Sequence, residues 1–434
     1  MHRGGSTPQR RIARKSPTIV YKEREVMANL KGIEYLRAVL TLKRDRVLTR
    51  YKYYDMKNIV TDFGISTPPN LQWLQAPLGW CGKAVDSLAD RLQFKEFRDD
   101  NFNLTEIYQM NNADVLFDSA ITGALIASCS FIYVSADESG YPRLQVIDGA
   151  NATGIIDPIT GFLTEGYAVL ERNEFGVPLT EVYFVSGRTD YYYANGTVES
   201  YENSAIYPLL VPIINKPDSN RRFGHSRISR ACMGYQDAAA RTIKRSEIAA
   251  EFYSFPQKYV TGLSDDAEEM DKWRATLSSM LTFTKDDEGN KPTVGQFQQQ
   301  SMAPHIEQLK MFAALFGGET GLTMDDLGFA TGNPSSSDAI KAAHESLRMT
   351  ARKAQAKFGS CFLNTGIVAA SIRDNAPYAR KAFYQTKVIW YPVFEPDGTA
   401  LSAIGDGAIK VNQAVEGFFN GQTLSDLTGI KGAE

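Results

Sequence analysis

The chain is poor in the residues that build metal centres and disulfide frameworks. It has four cysteines and four histidines in 434 residues, and no two cysteines stand in a Cys-x-x-Cys spacing. Cys81, Cys129, Cys232 and Cys361 are too scattered for a zinc cluster, and reduced thiols in a cytoplasmic setting fit them best. No apolar stretch approaches the ~20 residues of a membrane-spanning helix, so no membrane partner is expected. The basic opening, with Arg3, Arg10, Arg11, Arg14 and Lys15, is not followed by the hydrophobic core of a secretory signal. A net charge of −3 gives no sign of a general nucleic-acid coat. Internal repeats are missing as well, so any symmetry must come from separate copies of the chain.

Signatures of catalysis are equally scarce. A phosphate cradle of the Gly-x-x-x-x-Gly-Lys-Ser/Thr or Gly-x-Gly-x-x-Gly type does not occur. Gly405-Asp406-Gly407 comes nearest, but no strand precedes it and no lysine–hydroxyl pair follows. Gly224-His225-Ser226 lacks the second glycine of a nucleophile elbow and reads as a loop into a helix, with Ser226 as its cap. His344-Glu345 is followed by Ser346, Leu347 and Arg348, which leaves a zinc protease without its second histidine. Asp325 and Asp326 suit a solvated loop or a helix cap better than Mg²⁺, because adjacent carboxylates diverge and no third ligand is evident. The chain reads as a non-enzyme, with no catalytic residue, no cofactor and no metal.

What is present is a hydrophobic fraction of 43%, enough for a folded protein of two or three domains. Residues 1–24 form a basic arm, either mobile or in contact with a neighbouring copy or nucleic acid. Helical patterns cover 25–54, 79–92 and 104–128. Strand-like runs at 131–134, 143–147, 166–172, 180–185 and 190–194 make an antiparallel β-rich layer, with a tight turn at Asn195-Gly196. From Ser226 to Pro256 the pattern is one long helix of mixed faces. Ile228, Cys232, Ala239 and Ile243 alternate with Arg227, Arg230, Arg241 and Lys244. Such a rod packs against copies of itself or serves as the core helix of an α/β enzyme. A small unit follows: a strand at 257–262, an amphipathic helix at 265–280 and strands at 281–284 and 294–297. A returning helix at 301–316 then ends at Gly317-Gly318. The last long helix starts at Ser335, with Asp338 three residues on as in a capping box, and runs to about Arg373 with kinks near Gly359 and Gly366. A strand at 387–393 returns to the β-rich layer.

Several phrases, in this order, resemble the portal proteins of long-tailed bacteriophages across roughly residues 29–415. They are Gly79-Trp80-Cys81-Gly82-Lys83-Ala84 to Leu92, Phe223-Gly224-His225-Ser226-Arg227-Ile228 to Pro256-Gln257, and Asn333-Pro334-Ser335-Ser336 with Ala339, Lys341 and Ala342. The resemblance implies an α+β portal fold: a wing of helices and antiparallel strands, long stem helices, a small α/β clip and a short helical crown. Its divisions are a basic arm at 1–24, the wing at 25–222 and the first stem helix at 223–256. The clip follows at 257–300, the second stem helix at 301–318, the tunnel-loop region at 319–336, a long helix with a wing strand at 337–396, and the crown at 397–434.

It further implies a dodecameric homo-oligomeric ring at one capsid vertex, a channel through which double-stranded DNA is packaged and ejected. Its partners would be the large terminase, a head–tail adaptor, and the major capsid and scaffolding proteins. The site would be the virion, with assembly in the host cytoplasm. The DNA-channel candidates are Gly332, Asn333, Pro334, Ser335, Ser336, Lys341, Arg348 and Arg352. The serines also suit a helix cap, and the cations, which with His344 recur at helical spacing, also suit an ordinary solvated face. The candidates for clip docking are Asp265, Asp266, Glu268, Glu269 and Trp273, the last equally suited to the clip's own core. Two other readings are a different non-enzymatic head–tail connector and a nucleic-acid-processing enzyme. The chain is longer than adaptors usually are, and it lacks the carboxylate cluster of a nuclease.

Overall fold

The computed structural model describes residues 31–62, 67, 71–254, 258–261, 293–296, 301–329, 337–394, 396 and 398–430. The chain opens with helices α1 (Gly32–Tyr54) and α2 (Trp80–Ala89), strand β1 (Phe94–Arg98), and helices α3 (Leu104–Gln109) and α4 (Ala113–Ala127). Eight strands follow: β2 (Cys129–Ala136), β3 (Pro142–Asp148), β4 (Ala152–Ile156), β5 (Leu163–Arg172), β6 (Pro178–Val185), β7 (Arg188–Tyr193), β8 (Val198–Glu202) and β9 (Leu210–Ile214). Next come helix α5 (Arg230–Ser254), strands β10 (Lys258–Thr261) and β11 (Thr293–Gln296), and helix α6 (Ala303–Thr320). Helices α7 (Ser337–Ala343) and α8 (Glu345–Arg373), strand β12 (Lys387–Trp390), and helices α9 (Gly398–Ala414) and α10 (Gly421–Thr428) complete the order. The mixture of helices with antiparallel ladders is the α+β class expected. The elements gather into two compact units, one from residues 1–48, 94–224 and 357–389, the other from 49–93, 225–356 and 390–434.

The first unit is built around β2. Its residues Cys129 to Val134 are all buried, because both faces are covered. Ser130 donates to the Ala120 carbonyl of α4 at 2.6 Å, so that side faces the helix, and Tyr133 on the opposite side meets Phe184 of β6 at 5.3 Å. A three-stranded sheet, β3-β2-β9, thus lies between α4 and a five-stranded sheet ordered β4-β5-β6-β7-β8. On the outer face of the larger sheet, Leu36 and Leu40 of α1 pack on Tyr167 and Val169. Arg37 clamps Glu181 there with bonds of 3.2 and 2.6 Å.

Several expectations needed correction. The helical pattern over 104–128 is two helices, because the Asn111 side chain bonds the Pro142 carbonyl and accepts from Leu144 N, both at 3.0 Å, tying the chain to β3. Helix α8 continues through Gly359 and Gly366 without interruption. A Cβ on Gly366 would come within 2.8 Å of Leu104, so that glycine serves close packing. The interruption falls instead at His344, between α7 and α8. Strand β12 pairs with β1 in a separate two-stranded sheet, not with the β-rich layer. The Asn195-Gly196 turn joins β7 to β8 as expected, with Gly196 at φ +85.

In the second unit, α5 and α6 lie along each other antiparallel. Arg227, just ahead of α5, reaches Thr320 at the end of α6, and Thr242 bonds Gln308 at 3.2 Å. Between the two helices in the chain, β10 and β11 pair antiparallel from Lys258↔Gln296 to Thr261↔Thr293. The expected helix at 265–280 and the strand at 281–284 lie outside the described residues. Gly405 and Gly407 sit inside α9, which removes the last phrase that resembled a phosphate loop.

Candidate functional site

Helix α5 is held by side chains the sequence presents as surface charge. Its cap is Ser229, whose Oγ accepts from Cys232 N at 3.2 Å. Ser226, the expected cap, instead accepts from Ile228 N at 2.9 Å in the turn before it. Arg227 donates to the Ala84 carbonyl of α2 at 3.2 Å and to the Thr320 carbonyl, one of the orphan acceptors at the end of α6. Burial lowers its pKa. Buried Gln236 accepts from Cys81 N at 2.8 Å and so caps α2, which Gly79 leaves without a side-chain cap. Asp237 accepts from Tyr53 at 2.7 Å and from Asn58 at 3.0 Å. Lys244, only 4% exposed, pairs with Asp62 at 2.6 Å and donates to the Gln72 carbonyl at 3.1 Å. Two of the cations expected to face neighbouring copies are therefore satisfied within the unit. Arg230 and Glu247 remain exposed.

Helix α6 carries Pro304 in its first turn, as expected. It does not break at Gly317-Gly318 but runs on to Thr320, with Gly321 as its C-cap. A Cβ at Gly317 would come within 2.7 Å of the Leu322 carbonyl, so glycine is needed for the chain to fold back there. One stripe of α6 (Ala313, Phe316, Gly317, Thr320) is buried, and Phe316 meets Trp80 at 5.6 Å. The opposite side leaves Met311 and Leu315 exposed, and Ile306, two turns ahead of Ala313 on the stripe's own side, is exposed as well.

Beyond α6, Thr323 and Asp326 cap one another. Thr323 N and Oγ1 both donate to Asp326 Oδ2 at 2.9 Å, and Asp326 N donates to Thr323 Oγ1 at 3.2 Å. That agrees with the cap reading over Mg²⁺, and the described residues contain no cluster of three potential metal ligands. His344 stands 3.7 Å from the same carboxylate and 6.2 Å from the Phe394 ring. It therefore leaves the expected basic stripe. Lys341 on α7 and Arg352 on α8 are exposed, and Arg348 is half-buried with both arms of its guanidinium on Glu345 at 2.6 and 2.8 Å. The remaining channel candidates, Gly332, Asn333, Pro334, Ser335 and Ser336, lie outside the described residues. So do the docking candidates Asp265, Asp266, Glu268, Glu269 and Trp273. None of the four cysteines is in a disulfide, most are enclosed, and burial pushes the thiols of Cys81, Cys232 and Cys361 up, away from nucleophilic use.

Sequence reasoning missed Arg227, Gln236 and the Trp80–Phe316 contact as organising features. The phrase around Trp80 was the available signal, an aromatic residue among Gly79, Cys81 and Gly82, whereas Arg227 stands among His225, Ser226, Ser229 and Arg230 and gave none.

Comparison with known proteins bears on the same elements. A family model described as "Phage portal protein, SPP1 Gp6-like" matches residues 33–392. A portal protein of Mycobacterium phage L5 is 25% identical over 384 residues, 83% of this chain and 77% of that protein. The portal protein of Mycobacterium phage D29 is 25% identical over 335 residues, 71% of this chain and 68% of that protein. Among solved structures, a chain from the virion of a native gene transfer agent particle gives a TM-score of 0.47 at 12% identity, covering 88% of this chain and 99% of that one. A chain from the neck of an empty gene transfer agent particle gives 0.48 at 13%, covering 84% and 95%.

Proposed function

We propose a working mechanism from one established point: the chain belongs to the phage portal protein family of the SPP1 Gp6-like type. It is a head-to-tail connector, and the family is one of structural, not catalytic, proteins. We infer a closed, dodecameric ring in the virion, assembled in the host cytoplasm, with a channel for double-stranded DNA. The α5–α6 hairpin carries this reading. Its inner contacts are satisfied within the unit, yet α6 keeps apolar residues exposed, Met311 and Leu315 on its outer side and Ile306 near its start. Exposed apolar residues recur on α9 and after it, at Ile409, Val415 and Phe418. A heterologous interface repeated around an axis covers such surfaces and closes without free ends.

In this reading α5 and α6 are the stem, the segment between them is the clip, 319–336 forms the tunnel loop, and residues after 396 belong to the crown. The wing comprises 25–222 with β12. Major capsid and scaffolding proteins surround the wing, while the terminase and then the adaptor dock on the clip. Lys341, Arg348 and Arg352 offer phosphate contacts behind the serine-rich strip of the loop. Arg348 is already half-neutralised by Glu345, which suits a surface that must release what it touches.

The combined variant Lys341→Ala, Arg348→Ala, Arg352→Ala is expected to lower packaged DNA about tenfold while assembly stays intact, because three cations are lost from every subunit. Unchanged packaging in assembled particles would remove these residues from the channel. Reversing charge at Asp265, Asp266, Glu268 and Glu269 is expected to abolish terminase binding in a pull-down while the oligomer persists. Full terminase capture by that variant would leave the acidic face without a docking role.

A further inference from the structure

Strand β8 is an open edge of the five-stranded sheet. All five of its residues, Val198 to Glu202, are exposed, and no strand pairs with its outer side among the described residues. The opposite edge, β4, is mostly buried. An edge strand with Val198 at 52% and Tyr201 at 56% exposure presents unpaired backbone groups that a further strand can use. Its charges have one sign: Glu199 and Glu202. Glu199 is held in place by Tyr193 at 3.2 Å and Tyr201 at 3.0 Å.

We propose that the edge is completed by the chain's own N-terminal arm, with Thr18-Ile19-Val20-Tyr21-Lys22 adding as a sixth strand on β8. Three observations select this occupant. The segment is β-branched and aromatic, matches β8 in length, and is the part of the arm best suited to a strand. Its charge is complementary on balance, since Arg14, Lys15, Lys22 and Arg24 outnumber Glu23 and Glu25 where β8 offers only glutamates. Its tether is close: Gly32 sits against Tyr183 of β6, 3.6 Å from a Cβ placed there, and β6 is two strands, or about 10 Å, from β8. The nine residues 23–31 span up to ~30 Å when extended, so the strand can come from the same copy or a neighbouring one. A second copy's β8 would set glutamate against glutamate, and nucleic acid would meet an acidic rim. The inference concerns this edge alone and does not depend on the ring.

Hydrogen exchange on the full-length assembled protein tests it. In Val20→Pro, which removes a ladder donor, peptides covering 198–202 are expected to exchange about tenfold faster than in the wild type, while those of β5 and β6 do not change. Equal rates in the two proteins would overturn the proposal. Oxidative cross-linking of Ile19→Cys with Glu199→Cys, Ser200→Cys or Tyr201→Cys should give a disulfide with at least one of them, within a chain or between two. Ile155→Cys on β4 should stay unlinked. No link at β8, links at β4 as readily as at β8, or protection of the arm only when DNA is added would each refute it.

Discussion

Asp62→Ala is expected to lower the unfolding free energy by about 3–5 kcal/mol, because it strands a buried ammonium. Lys244 is 4% exposed and Asp62 11% exposed, at 2.6 Å, and the lysine's other acceptor is the Gln72 carbonyl. Neither that carbonyl nor the little water that reaches the pair compensates a full charge. The pair itself need not be worth much, since desolvation offsets most of the attraction. Replacing both partners by apolar residues, Lys244→Met with Asp62→Leu, should therefore recover most of the loss. Urea unfolding of the wild type and the two variants decides the matter. A single variant within about 0.5 kcal/mol of the wild type would mean that the charge escapes to solvent, which would contradict the clamp on α5.

Gly224→Ala is expected to cost at least about 3 kcal/mol, or to prevent folding outright, because a left-handed backbone and a collision act together. Gly224 has φ +70, and a Cβ there would overlap the Asn215 carbonyl oxygen while standing 2.9 Å from Ile214. Both neighbours belong to the end of β9 and the residue after it, so neither can withdraw without breaking the strand. Gly176→Ala separates the two contributions: it shares the left-handed backbone, at φ +79, but nothing lies within 4 Å of the new carbon. It should cost about 1–2 kcal/mol. Equal costs for the two variants would show that the collision is relieved by movement of the strand end.

Legibility in the sequence followed physical locality. The long helices were visible because apolar periodicity and Pro256 and Pro304 are local signals, and the β7–β8 turn was visible because Asn-Gly encodes a positive φ. Strand β9 was hidden by Pro212, which is tolerated because β9 is an edge of its sheet. Strand β8 was hidden by its exposure, having no buried face to alternate with. Ser226 and Ser229 are both plausible caps in sequence, and only the turn geometry chooses Ser229. The roles of Arg227 and Lys244 were illegible for a different reason: their partners, the Thr320 carbonyl and Asp62, are remote in the chain. His344 recurs at helical spacing with Lys341, Arg348 and Arg352, yet it stands beside the Asp326 carboxylate, a neighbour that helical spacing cannot see.

Particle imaging of the purified protein, with a mass measurement on the same sample, asks whether the chain closes into a ring with copies of itself. Closed rings of twelvefold symmetry with a central hole, of one dominant mass, are expected to persist across salt conditions. A stable single subunit at high protein concentration, in every salt condition tried, would contradict ring closure.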